Sequence, residues 1–280
     1  MFVAVRDHPI VVAYDGLLRG LKDLSVSSFE LFLSRDLRTL LGFDLSSDDY
    51  IKELKNFLED NNLSICAILL ENDFSRFPLA KEIKYILNAA KIAEKLDVLV
   101  LRINPPMREI PGYTLRDYIE LSSKGILEVL KENSYIHLAI ENHGLIGNNK
   151  EYVSKLLSEI TDERFGVTLD TGNYYWYGYP LEELYRIYEM VAPRVKHTHI
   201  KDATTDKKHS LRRPREVRMT PIGKGDIDFK QVLRILSKAG YKGDLTLEDE
   251  SVSPRKEKEL CRKLFKEDIE FLKRIIRELS

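Results

Sequence analysis

Only two cysteines occur in 280 residues, Cys66 in an apolar stretch and Cys261 in a charged one, and they form no CxxC pair. That argues against a disulfide framework and for a reducing compartment. No run of about 18 apolar residues is present, so no helical membrane span is expected. No basic segment leads into an apolar one at the start, and the expected location is the cytoplasm. A net charge of −1 leaves no field that would draw in a polyanion, which counts against nucleic acid as a partner. GxGxxG and GxxxxGK[ST] turns are both missing, and an open nucleotide-binding sheet usually carries one of them early.

What is there is a regular alternation. Apolar runs at residues 2–5, 28–33, 63–70, 98–103, 136–141, 165–170, 195–200 and 244–248 read as strands. Between them lie helical patterns. The first, at 16–24, is weak. The next is capped by Ser46 or Ser47, puts Tyr50, Leu54, Phe57 and Leu58 on one face and ends at Asn61-Asn62. Others span 79–96, 115–132 and 151–160, then run from Pro180 in a first turn to Val191, then 229–239 closed by Gly240, and finally 257–279. Eight such units with no linker predict one (β/α)8 TIM barrel domain covering residues 1–280.

Four of these strands end in a side chain able to bind a metal. Side chains alternate along a strand. His137, Ala139 and Glu141 therefore share one face, as do Gly166, Thr168 and Asp170, and Thr246 and Glu248. Val195, His197, His199 and Lys201 share a parity in the seventh strand. The pattern puts Glu141, Asp170, His199 and Glu248 at the C-terminal mouth, where barrel enzymes keep their active sites. Three carboxylates gathered there repel one another unless a cation compensates them. Oxygen-rich ligation with one imidazole suits one Mn²⁺ or Mg²⁺, with Co²⁺ or Zn²⁺ as further options.

In order, IENHG, TLDTGN, HTHIKD, PIGKGDIDF and LTLEDE resemble the xylose-isomerase-like barrel superfamily, which holds sugar isomerases and epimerases, inosose dehydratases and endonuclease IV. The resemblance implies that Glu141, Asp170, His199 and Glu248 are metal ligands. It also implies that Glu141 and Glu248 are the catalytic acid/base pair, moving protons through an enediolate of a sugar or sugar phosphate. The substrate implied is a small polyhydroxylated carbonyl compound, and dimers or tetramers are usual in the family. Where much of the family has a substrate-contacting histidine, this chain has Asn173, and Val217-Arg218-Met219 stands where endonuclease IV carries an Asp-Arg-His run. A complete trinuclear nuclease site is therefore not expected. An inosose-type dehydratase is the near alternative to an isomerase or epimerase, and an endonuclease IV-like repair hydrolase the distant one.

His143, Asn173, Lys201 and Arg218 are the candidate substrate-binding residues, while His197, deeper in the strand, reads as a packed polar group. The segment 202–226 is long for a βα loop. Between Lys207 and Arg218 it carries six basic residues against the single acid Glu216. It reads either as a cationic lid for an anionic substrate or as a solvated loop.

Overall fold

The computed structural model describes residues 1–279; Ser280, the last residue of the expected domain, lies outside the described residues. The strands are β1 (Phe2–Arg6), β2 (Ser28–Leu33), β3 (Ser64–Leu70), β4 (Val100–Ile103), β5 (His137–Glu141), β6 (Phe165–Asp170), β7 (Val195–Ile200), β8 (Asp202–Thr204), β9 (Arg218–Thr220) and β10 (Asp244–Leu247). All but β8 and β9 close into a parallel barrel in the order β1-β10-β7-β6-β5-β4-β3-β2. The chain is thus an α/β TIM barrel.

Register follows the two-residue period of the strands. Ile140 pairs with Val167 and Glu141 with Thr168. Thr246 pairs with His199, and Arg6 with Glu30. Leu138, Ile140, Val167, Leu169, Leu245 and Leu247 are buried. Their parity is opposite to that of the polar residues, as the alternation predicts.

Among the helices, α1 (Asp7–Tyr14), α2 (Leu17–Leu24), α3 (Asp48–Asp60), α4 (Leu79–Lys95) and α5 (Leu115–Glu132) occupy the first half of the sequence. Next come α6 (Gly144–Gly147), α7 (Lys150–Glu159), α8 (Asn173–Tyr177), α9 (Leu181–Val191), α10 (Phe229–Lys238) and α11 (Lys258–Leu279). A capping box starts α5: Thr114 Oγ1 accepts from Asp117 N, and the Asp117 carboxylate accepts from Thr114 N at 2.6 Å. Asp228 caps α10 by accepting from the N–H groups of Lys230 and Gln231. Each cap satisfies helix-end donors that would otherwise lack partners, worth about 1 kcal/mol.

Four details depart from the sequence reading. The helix α1 precedes the expected 16–24 helix; its apolar residues form one run, Ile10 to Ala13, with no helical period. Pro180 is the N-cap of α9 rather than part of its first turn. On α3 the buried face is Ile51, Leu54 and Leu58, and Tyr50 is 45% exposed. Finally, 202–226 is not wholly loop: β8 and β9 form an antiparallel pair, with Asp202 opposite Thr220 and Thr204 opposite Arg218.

By compactness the chain divides into residues 1–30 with Leu169 onward, and Leu31–Thr168. The division falls inside β2 and β6, each of which is one continuous strand.

Candidate metal centre

Strand β6 ends at Asp170, whose Oδ1 accepts from the backbone N–H groups of Gly172 and Asn173, both at 2.8 Å. That fixes the carboxylate and presents Oδ2 to Lys201 Nζ at 3.1 Å. Gly172 makes room for this contact, because a Cβ there would lie 2.7 Å from Lys201 Cγ. Lys201 is itself buried, with Nζ also 3.3 Å from Glu248 Oε2, 3.2 Å from Glu250 Oε2 and 3.4 Å from Asn173 Oδ1.

On β7, two histidines point the same way with rings 5.1 Å apart and nearly perpendicular. His199 Nε2 lies 2.9 Å from Glu30 Oε1, and its Nδ1 lies 3.0 Å from Glu248 Oε2. Burial pulls the His199 pKa down to about 4, against the opposing pull of Glu30. A neutral ring giving its Nε2 hydrogen to Glu30 presents a lone pair at Nδ1, the form a metal requires. Burial also works to lower the His197 pKa, but Asp244 and Glu30, each 2.9 Å from a ring nitrogen, outweigh it and raise the value to about 9. His197 is thus packed between two carboxylates, deeper in the strand than His199. Asp244 is held in turn by Thr246 Oγ1 at 2.7 Å.

Glu141, at the end of β5, is paired with Arg102, which also donates to Asn104 Oδ1 at 2.6 Å. His143 Nδ1 lies 3.3 Å from Glu141 Oε2, with 39% of its side chain exposed. Glu141 is in register with Thr168, two residues before Asp170 on the same strand. Each of Glu141, Asp170, His199 and Glu248 offers one ligand atom, and these atoms all lie within 4.8 Å of one another.

Protein cations already compensate this carboxylate cluster. Arg102 pairs with Glu141, Arg6 with Glu248 and Glu30, and Lys201 with Asp170 and Glu248. Charge repulsion alone therefore does not require a metal. The fit to a metal rests on donor geometry: three carboxylates and one lone-pair imidazole nitrogen converging within coordination reach.

The basic segment is folded down onto aromatic residues. Arg212 is buried, with its guanidinium 4.3 Å from the Tyr175 ring centroid. It donates to the carbonyls of Lys207, Ser210, Tyr175 and Tyr179. Backbone bonds from Leu181 to Lys208, Arg212 to Gly178 and Arg215 to Trp176 pin the strap further. Arg212 thus serves packing, so this member of the basic run is neither a free lid residue nor a solvated charge. Arg218, on β9, is exposed. Asp202 of HIKD holds the PIGKGDI turn: it accepts from the N–H groups of Ala203, Gly223, Gly225 and Ile227.

Sequence reasoning missed Arg6, Glu30, Arg102 and Asp244. The signal for two of them was present: Glu30 in SFELFL and Arg102 in VLRI are charges inside apolar strands. Such residues are almost never fully buried unless paired.

The family described as xylose isomerase-like TIM barrel matches residues 18–275. An inosose dehydratase from Clostridium perfringens is 29% identical over 134 residues, and the match spans 44% of either chain. The crystal structure of an IOLI protein with a bound zinc atom superposes with a TM-score of 0.73 at 15% identity, covering 96% of both chains. A D-allulose 3-epimerase from Methylomonas sp. in complex with D-allulose gives 0.68 at 17% identity, covering 98% of this chain and 96% of that one. The match over residues 18–275 and the closed eight-stranded barrel place this chain in the xylose isomerase-like TIM barrel family.

Proposed function

We propose that this chain is a divalent-metal-dependent enzyme that isomerises or epimerises a small polyhydroxylated carbonyl compound, with Glu141 and Glu248 transferring the proton. The observation that carries the reading is the convergence of four ligand atoms within 4.8 Å, one of them on an imidazole oriented by Glu30. Glu141, Asp170, His199 and Glu248 would hold the ion. When bound, it would supply Lewis-acid polarisation of the substrate oxygens. The zinc in the IOLI structure supports a divalent ion here, and the sugar in the epimerase complex supports the substrate class.

Arg102 and Arg6 favour the ionised forms of Glu141 and Glu248, the form a base must have. One glutamate removes the proton next to the carbonyl, and return at the neighbouring carbon or on the opposite face gives product. Asn173 and Lys201, buried beside Asp170, and His143, beside Glu141, would hydrogen-bond substrate hydroxyls. Arg218 is a candidate at the rim.

A second reading, dehydration of an inosose, is favoured by the sequence match to inosose dehydratase and shares the first deprotonation. Incubating ketoses, aldoses and inososes with the protein and Mn²⁺ in D₂O tests both. Deuterium at the carbon next to the carbonyl with no loss of water supports isomerisation or epimerisation. Loss of water supports dehydration, and no exchange in any of the three classes contradicts both.

A further inference from the structure

The ammonium of Lys201 stands against two of the four candidate ligands. Its Nζ lies 3.1 Å from Asp170 Oδ2 and 3.3 Å from Glu248 Oε2, and that same Glu248 oxygen lies 3.0 Å from His199 Nδ1. An ion bonded to Asp170 Oδ2 at about 2.1 Å falls, by the triangle inequality, within about 5.2 Å of Nζ in its present position. Two positive centres that close, in a site where Lys201 is 2% exposed, repel strongly. The same ammonium also touches a second set of acceptors, Glu250 Oε2 at 3.2 Å and Asn173 Oδ1 at 3.4 Å. About half of the Glu250 side chain is exposed, so a charge moved toward it stays partly solvated.

We infer that Lys201 is an internal counter-ion that competes with the divalent metal for Asp170 and Glu248, and that Glu250 holds the displaced ammonium when the ion enters. The inference rests on the metal reading of the site. Loading exchanges one cation for another at the two carboxylates and carries the ammonium toward Glu250 and Asn173. Lys201 therefore weakens metal binding and stabilises the metal-free protein, whereas Glu250 strengthens metal binding.

The test is calorimetric titration of Mn²⁺ into chelator-stripped wild-type protein, Lys201→Gln and Glu250→Gln, with the melting temperature of each metal-free protein. The expected results have opposite signs. Lys201→Gln binds Mn²⁺ about tenfold tighter or more and melts lower without metal; Glu250→Gln binds several-fold more weakly. A lysine with a merely structural role would, on replacement, leave the affinity unchanged or weaken it. Glu250→Gln, a change at a half-exposed side chain, carries the test alone if Lys201→Gln does not fold. Wild-type binding with an unchanged affinity in Glu250→Gln, or none tighter in Lys201→Gln, overturns the inference and leaves the metal reading standing. Absence of Mn²⁺ binding in all three proteins overturns both.

Discussion

Glu30 Oε1 stands 2.9 Å from His199 Nε2, on the side of the ring opposite Glu248. A carboxylate from the second barrel strand thereby sets the tautomer of an imidazole on the seventh. Carboxylate–histidine pairs of this kind orient a ligand ring and raise its basicity. Glu30→Gln should therefore lower metal affinity by about 10- to 100-fold while the barrel stays folded. Competition with a chromophoric chelator, alongside circular dichroism, measures it. An unchanged affinity would mean that His199 is oriented by something else.

The two glutamates should separate from the other ligands kinetically. Glu141→Gln and Glu248→Gln each keep an oxygen for the ion but lose the base. Solvent-proton exchange in a substrate found by the D₂O screen should fall by about 10²- to 10⁴-fold in each, with substantial metal binding retained. A near-normal exchange rate in either variant would place the base elsewhere.

Arg212 should matter to stability and not to anion selectivity. Its guanidinium donates to the carbonyls of Lys207, Ser210, Tyr175 and Tyr179 and stacks on Tyr175. Arg212→Ala should cost about 2–4 kcal/mol in urea unfolding, because buried carbonyls lose their donor. Arg218→Ala, on an exposed side chain, should cost under about 0.5 kcal/mol. Equal losses would show that the strap is not anchored through Arg212.

Much of this arrangement was legible beforehand, for local reasons. The run FGVTLD alternates, ends in an acid with a glycine two residues on, and forms β6 at the expected bounds. The helix expected over 115–132 likewise matches the observed bounds of α5. The partners of the acids were harder to read, because pairing across a barrel joins residues as far apart as Arg6 and Glu248. Sequence periodicity carries no information about contacts at that separation. The burial of Arg212 was not legible for a related reason: a run of basic residues looks solvated until a neighbouring element, here the aromatic α8 region, supplies carbonyls and rings to hold one of them.

A pH effect should come from a second buried pair. Burial first, and then the neighbouring Asp249, push the Asp268 carboxyl well above its ordinary range. Asp268 also accepts from Ile222 N at 2.8 Å, tying α11 to the PIGKG turn. The folded pKa exceeds the unfolded one. The stability this group contributes is therefore complete below the ordinary carboxylate pKa and is lost as pH rises toward the folded value. Asp268→Asn keeps an acceptor for Ile222 and removes the titration. Its melting temperature should fall less than the wild type's between pH 5 and pH 8. Parallel curves would show that Asp268 is ionised in the fold.

Glu141, Asp170, His199 and Glu248 should bind one divalent ion together. Crystals soaked in Mn²⁺ and measured near the manganese absorption edge test it directly. The expected result is a single strong anomalous peak within about 2.0–2.4 Å of one atom from each of the four side chains, and its loss in His199→Ala. A peak that omits these residues, or the same peak persisting in His199→Ala, would contradict it.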